Sequence, residues 1–133
     1  MDPENDKTAP APQRKVLVIE DEHFISELYV RALTRAGYDV TVEVDGQRGL
    51  TLAQSNEFDI ILLDLMVPTM TGIDILRHLR GAGAPPLKSK IVITTNLEQR
   101  EEIRTDIEKQ ADAYLVKAEI TPRELVKFLG TIN

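Results

Sequence analysis

Five polar residues stand where short apolar runs stop. Glu20 and Asp21 follow Val16-Leu17-Val18-Ile19, and Asp64 follows Ile60-Ile61-Leu62-Leu63. Thr95 ends Ile91-Val92-Ile93-Thr94, and Lys117 follows Ala113-Tyr114-Leu115-Val116. Short branched runs bounded by turn signals read as strands buried on both faces. The five residues then lie at the carboxyl ends of four strands, the rim at which open α/β sheets bind ligands. Carboxylates about 5 Å apart would repel by roughly 3 kcal/mol per pair at an effective dielectric of 20. They stay ionised together only if a cation joins them, and a few carboxylates plus water and phosphate oxygens suit Mg²⁺. An aspartate beside such an ion can act as a nucleophile. Phosphoryl transfer spreads charge over three equatorial oxygens, which need positioned cations and donors. Mg²⁺, Lys117 and the Thr95 hydroxyl would each supply one such contact to a phosphoryl group on Asp64. Taken singly the residues say less: Lys117 reads as a surface charge and Thr95 as a strand-end or capping hydroxyl. Asp64 alone could be a helix N-cap, but Pro68 and Gly72 defer the next helix to about Gly72. The conjunction carries the inference.

The elements that must hold these residues alternate strand with helix. Ile25, Leu28, Tyr29, Ala32, Leu33 and Ala36 recur at helical spacing after the first strand, and Gly37 offers a left-handed stop. Val40-Thr41-Val42-Glu43-Val44 alternates as a half-exposed edge strand does, and Asp45-Gly46 opens a helix with Leu50 and Ala53 inward. A third helix runs from about Gly72 to Arg80 on Ile73, Leu76 and Leu79, and Gly81 to Pro86 is a loop. Asn96 and Gln99 have capping-box spacing, which predicts a fourth helix from there to about Gln110. It is thinly anchored, on Leu97, Ile103 and Ile107. Thr121-Pro122-Arg123-Glu124 combines a capping box with proline at the first helical position, and Leu125, Val126, Phe128 and Leu129 pack the last helix. Five strands alternating with helices mean one parallel sheet covered on both faces.

Composition narrows the function classes. With 133 residues, 42% hydrophobic, there is room for one domain with a core. Residues 1–14, rich in proline and charge, read as a disordered tail. A net charge of −6 gives no electrostatic footprint for nucleic acid or an anionic membrane. The absence of cysteine excludes disulfides, zinc thiolates and thiol nucleophiles, and two isolated histidines do not make a metal site. No run reaches membrane-spanning length and the N-terminus lacks a signal-peptide core, so a soluble cytoplasmic protein is expected.

Four stretches then carry a resemblance. VLVIEDE, DIILLDLMVPTMTG, IVITTN and ADAYLVK, in that order and spacing, resemble the receiver domain of bacterial two-component response regulators. The single-domain form of that family is similar to the chemotaxis regulator. The match covers about Lys15 to Leu129, with the domain itself drawn over 15–131. The resemblance implies a flavodoxin-like, doubly wound, five-stranded sheet of order 2-1-3-4-5. It implies that Asp64 accepts a phosphoryl group from a sensor histidine kinase or a histidine phosphotransfer protein. Asp21 would ligate Mg²⁺ directly, Glu20 through water, Asp64 with its carboxylate and Met66 with its backbone carbonyl. Lys117 and Thr95 would bind the phosphoryl oxygens, and Tyr114 would turn inward behind Thr95. The fourth helix, last strand and last helix would form the surface that a downstream effector reads. The protein would take part in its own phosphorylation without being a turnover enzyme.

Three positions depart from the family pattern. Ala118 stands where a proline, preceded by a cis bond, usually follows the lysine; a cis bond to a non-proline costs about 3 kcal/mol. Either a trans bond with a shifted loop or strain held by neighbours is expected there. Asn96 replaces a small residue beside Thr95, and Glu20 replaces the more frequent aspartate. His23, one turn into the first helix, and His78 read as surface histidines. Two other functions fit less of the pattern. A pseudo-receiver that docks partners without phosphorylation has only Ala118 in its favour. An aspartate-nucleophile phosphohydrolase would need a second aspartate where Met66 stands.

Overall fold

The apolar runs become strands because each carries two faces of branched side chains. The computed structural model describes residues 13–96 and 99–132. In chain order the elements are β1 (Lys15–Ile19), α1 (His23–Arg35), β2 (Asp39–Glu43), α2 (Gly46–Gln54), β3 (Ile60–Asp64) and α3 (Gly72–Arg80). They continue with β4 (Lys90–Thr95), α4 (Glu101–Gln110), β5 (Ala113–Val116), a 3₁₀ turn (Lys117–Glu119) and α5 (Pro122–Leu129). The five strands are parallel in the order β2-β1-β3-β4-β5, as expected.

The period-two alternation of the strands divides the core. Leu17, Ile19, Ile61, Leu63, Ile91 and Ile93 face α2, α3 and α4, packing on Leu50, Ala53, Ile75, Leu76, Leu79 and Ile107. Val16, Val18, Ile60, Leu62 and Val92 face α1 and α5, packing on Tyr29, Leu33, Leu125 and Leu129. All five residues of β3 are buried, whereas β2 at the edge is half-exposed. β3 is therefore the most fully buried strand, and it ends in Asp64.

The local signals that worked are visible as caps. Asp45 accepts from the Arg48 N–H, Thr71 from Asp74, and Thr121 from Glu124, which returns a bond to the Thr121 N–H at 2.8 Å. Gly37, at φ +100°, ends α1 in the left-handed conformation open to glycine.

Three expectations need correction. The Asn96–Gln99 capping box does not form: α4 begins at Glu101, with Arg100 as N-cap and no side-chain cap bond. The Gln99 N–H is taken instead by the Tyr114 hydroxyl at 3.2 Å. His23 is the first residue of α1, since the helix starts as soon as the chain clears the acids. Ile75, fully buried, anchors α3 more deeply than the half-buried Ile73. Residues 1–12 of the expected tail and the Leu97 anchor lie outside the described residues, whereas Gln13 and Arg14 hydrogen-bond to Gly37 and Ile132.

Candidate functional site

β1 and β3 are hydrogen-bonded neighbours, so their carboxyl ends bring Glu20 and Asp21 beside Asp64. One carboxylate oxygen from each of the three lies within 4.8 Å of the others. Glu20 and Asp64 are 1% and 3% exposed, while Asp21 is open to solvent. Two backbone amides orient the buried acids: Glu22 N–H donates to Glu20 Oε2 at 3.2 Å, and Met66 N–H to Asp64 Oδ1 at 3.1 Å. The Met66 side chain points away into solvent, 71% exposed.

The last strand closes the site from the other side. Lys117 follows β5, and its side chain, 5% exposed, reaches Glu20 Oε1 at 2.5 Å and Asp64 Oδ2 at 3.2 Å. The Lys117–Ala118 bond is trans, and the chain turns through the 3₁₀ turn immediately after it. Of the two outcomes expected there, the trans bond is the one found. Thr95, the buried end of β4, completes the rim, and β3 and β4 pair Asp64 with Thr94. Tyr114, in β5, is buried with its hydroxyl against Gln99. The structure thus brings Glu20, Asp21, Asp64, Met66, Thr95 and Lys117 to one sheet end. His23 is exposed beside the acids, and His78 is exposed on α3 with its Nδ1 2.8 Å from the Asp74 carbonyl.

The electrostatics follow from burial. Glu20 is pushed up to about 7, first by burial and further by the Asp64 charge, against the hydrogen bond from Lys117. Burial alone would lower Lys117, but the hydrogen bond to Glu20 and the charge of Asp64 outweigh it and hold the ammonium protonated. Tyr29, beneath the acids on α1, is raised to about 12 by burial and then by Glu20 and Asp64. One ammonium therefore serves the two buried carboxylates, with Asp21 beside them open to solvent, and the buried Glu20 resists a second negative charge beside Asp64. Such a donor set, all oxygen and short of positive charge, fits a hard divalent ion.

The loop after Asp64 is held by contacts that the sequence signalled only through Pro68 and Gly72. Leu65 and Val67 are buried in it, and Gly72 N–H donates to the Leu65 carbonyl at 2.9 Å. The α2 N-terminus grips the outer part: Gly46 N–H donates to the Pro68 carbonyl and Gln47 N–H to Thr69 Oγ1. Thr69 has φ +70°, a strained value for a β-branched residue, and these bonds hold it there. A groove of about 730 Å³ along α1 and Val42 does not include the buried acids.

Comparison with known proteins places this geometry. The profile of the response regulator receiver domain matches residues 16–129. The chain belongs to the response regulator receiver family. Among relatives, it is 37% identical over 119 residues to the response regulator ArlR of Staphylococcus saprophyticus, and 35% identical over 119 residues to ArlR of Staphylococcus aureus. Those alignments cover 90% of this chain but 50% and 51% of the relatives, so the receiver spans about half their length. Solved structures agree. The Francisella response regulator 1452 receiver domain superposes with TM-score 0.77 at 29% identity, covering 89% of this chain and 94% of that one. Vibrio cholerae chemotaxis protein CheY4 gives 0.75 at 28% identity, covering 92% and 100%. The fold is the flavodoxin-like receiver fold, and receivers of this family are signalling components of two-component systems.

Proposed function

We propose that this receiver carries a signal as a phosphoryl group on Asp64, delivered by the phosphohistidine of a sensor histidine kinase or a histidine phosphotransfer protein. An Asp64 carboxylate oxygen attacks phosphorus, the P–N bond to the imidazole breaks, and the freed imidazole nitrogen takes up a proton. The product is an acyl phosphate, and its hydrolysis returns Asp64 and inorganic phosphate. The observation that supports this reading most is the Lys117 ammonium, 3.2 Å from Asp64 Oδ2 and nearly buried. It can follow charge from the carboxylate to the transferred phosphoryl oxygens. Asp21, Asp64 and the Met66 carbonyl would hold Mg²⁺, with Glu20 reaching it through water. When bound, the ion would neutralise the charge that builds on the phosphoryl oxygens. The Thr95 hydroxyl would donate to one of those oxygens, with Tyr114 packed inward behind it.

The effector would read α4, β5 and α5, because α4 has the thinnest apolar anchoring. No helix among the described residues is long and apolar enough to cross a membrane. With a net charge of −6, a cytoplasmic role through protein partners, not through nucleic acid contacts of this domain, fits best. We do not propose turnover of an external substrate. Intact-mass measurement after incubation with acetyl phosphate and Mg²⁺ tests the reading. A phosphoryl-sized gain that needs Mg²⁺ and disappears in Asp64→Asn is expected. No gain under any condition would point to a receiver that docks partners without phosphorylation.

A further inference from the structure

α4 is attached to the sheet by less apolar surface than α3. Among its described residues only Ile107 is buried, with Ile103 partly so, whereas α3 buries Ile75, Leu76 and Leu79. What it lacks in apolar surface it replaces with a cation. The Arg104 guanidinium carbon lies 4.5 Å from the centroid of the Tyr114 ring, inside the range of a cation–π contact. Its Nε is steered from the next turn by Glu108 Oε2 at 3.6 Å. Tyr114 is 8% exposed, pairs with Ile93 across the parallel ladder, and receives the Gln99 N–H on its hydroxyl. Gln99 lies between Thr95, at the acid rim, and the start of α4. One ring is therefore held by its face from α4 and by its hydroxyl from the chain leading into α4.

We propose that Arg104 is a positioning residue: its guanidinium, laid on Tyr114, keeps the ring inward where the hydroxyl meets Gln99, and this grip couples α4 to the Thr95 end of the sheet. A partly exposed cation–π contact shifts an inward–outward equilibrium by about two- to fivefold. That is enough to bias a weakly anchored helix without locking it. The coupling's use in signalling rests on the phosphoacceptor reading; the grip itself does not.

The test is fluorine NMR of the full chain labelled with 3-fluorotyrosine, without Mg²⁺ or acetyl phosphate. The Tyr114 resonance is assigned by its loss in Tyr114→Phe, and those of Tyr29 and Tyr38 report on the fold. In Arg104→Gln the Tyr114 resonance should move toward its position in urea, with the outward share raised about two- to fivefold. Arg104→Lys, which keeps the cation, should retain the native position. A Tyr114 resonance unmoved in Arg104→Gln would overturn the proposal, as would a lysine variant that behaves like the glutamine one. Should Arg104→Gln disturb all three resonances, the lysine variant decides: a native Tyr114 position supports the grip, and a displaced one refutes it. Phosphoryl mass gain should persist in Arg104→Gln, so failure here and failure of Asp64 chemistry remain separable.

Discussion

Replacing Lys117 with methionine isolates the charge logic of the acid site. In the native protein its ammonium lies 3.2 Å from Asp64 and bonds Glu20, and all three side chains are almost fully buried. At an effective dielectric of 20, carboxylates 4.8 Å apart repel by about 3.5 kcal/mol per pair. Methionine fills similar volume but leaves Asp64 without its cation, so Glu20 keeps its proton to avoid that repulsion. Breaking a buried pair in this way costs about 3–5 kcal/mol. The loss should depend on pH in a stated direction. Glu20 titrates near 7 in the native site, so at pH 8 it is ionised there and relieved of about 1.4 kcal/mol that a still-protonated Glu20 would carry. In the variant Glu20 stays protonated, and the deficit at pH 8 should exceed that at pH 5.5 by about this amount. Urea unfolding at both pH values, in EDTA and in millimolar Mg²⁺, measures it. Mg²⁺ should stabilise the variant more than the native protein at pH 5.5, where Glu20 is protonated in both and loss of the ammonium leaves the variant site the more negative. A variant as stable as the native protein at pH 8 in EDTA would refute the reasoning, and so would a deficit independent of pH.

Four further outcomes follow from the same structure. Gly72→Ala would place a methyl group 2.6 Å from Leu65 Cα and into the Asp64 carbonyl, so it should destabilise by about 1–3 kcal/mol in urea despite alanine's better helix propensity. Arg80 donates to the carbonyls of Gln110 and Ser89 and to Asp112, and Arg80→Leu should cost about 1–3 kcal/mol by the same assay. The metal-free protein should lose stability as pH rises from 4.5 toward 7, since the raised Glu20 holds a proton that the unfolded chain has released. Mg²⁺ affinity should move the opposite way, rising through pH 7 with proton release on binding, which calorimetry in buffers of different ionisation enthalpy would detect.

How much of this was legible in the sequence depends on the range of the signal. Asp64 at the end of a fully buried strand followed from four branched residues in a row, and the capping box at Thr121 from four consecutive positions. The capping box predicted at Asn96 failed because the Gln99 amide had a better long-range partner in Tyr114, fifteen positions away. No local spacing encodes that. The Arg80 staple was equally hidden, since its three acceptors come from the residue before β4, the end of α4 and the turn before β5. The trans bond at Ala118 shows a third limit. The departure from the family pattern was plain, but only the structure showed that Lys117 still reaches both acids without it. The tether of Arg104 to Tyr114 left no local trace either, because it joins a helix surface to a strand interior.

The most direct test of the central claim is to find the atom that carries the phosphoryl group. Protein incubated with acetyl phosphate and Mg²⁺ is reduced with borohydride, which converts an acyl phosphate to an alcohol, and then digested and mapped by mass spectrometry. Conversion of Asp64 alone to homoserine is the predicted result. Modification at Glu20, Asp21 or His23, or none at Asp64, would contradict the account.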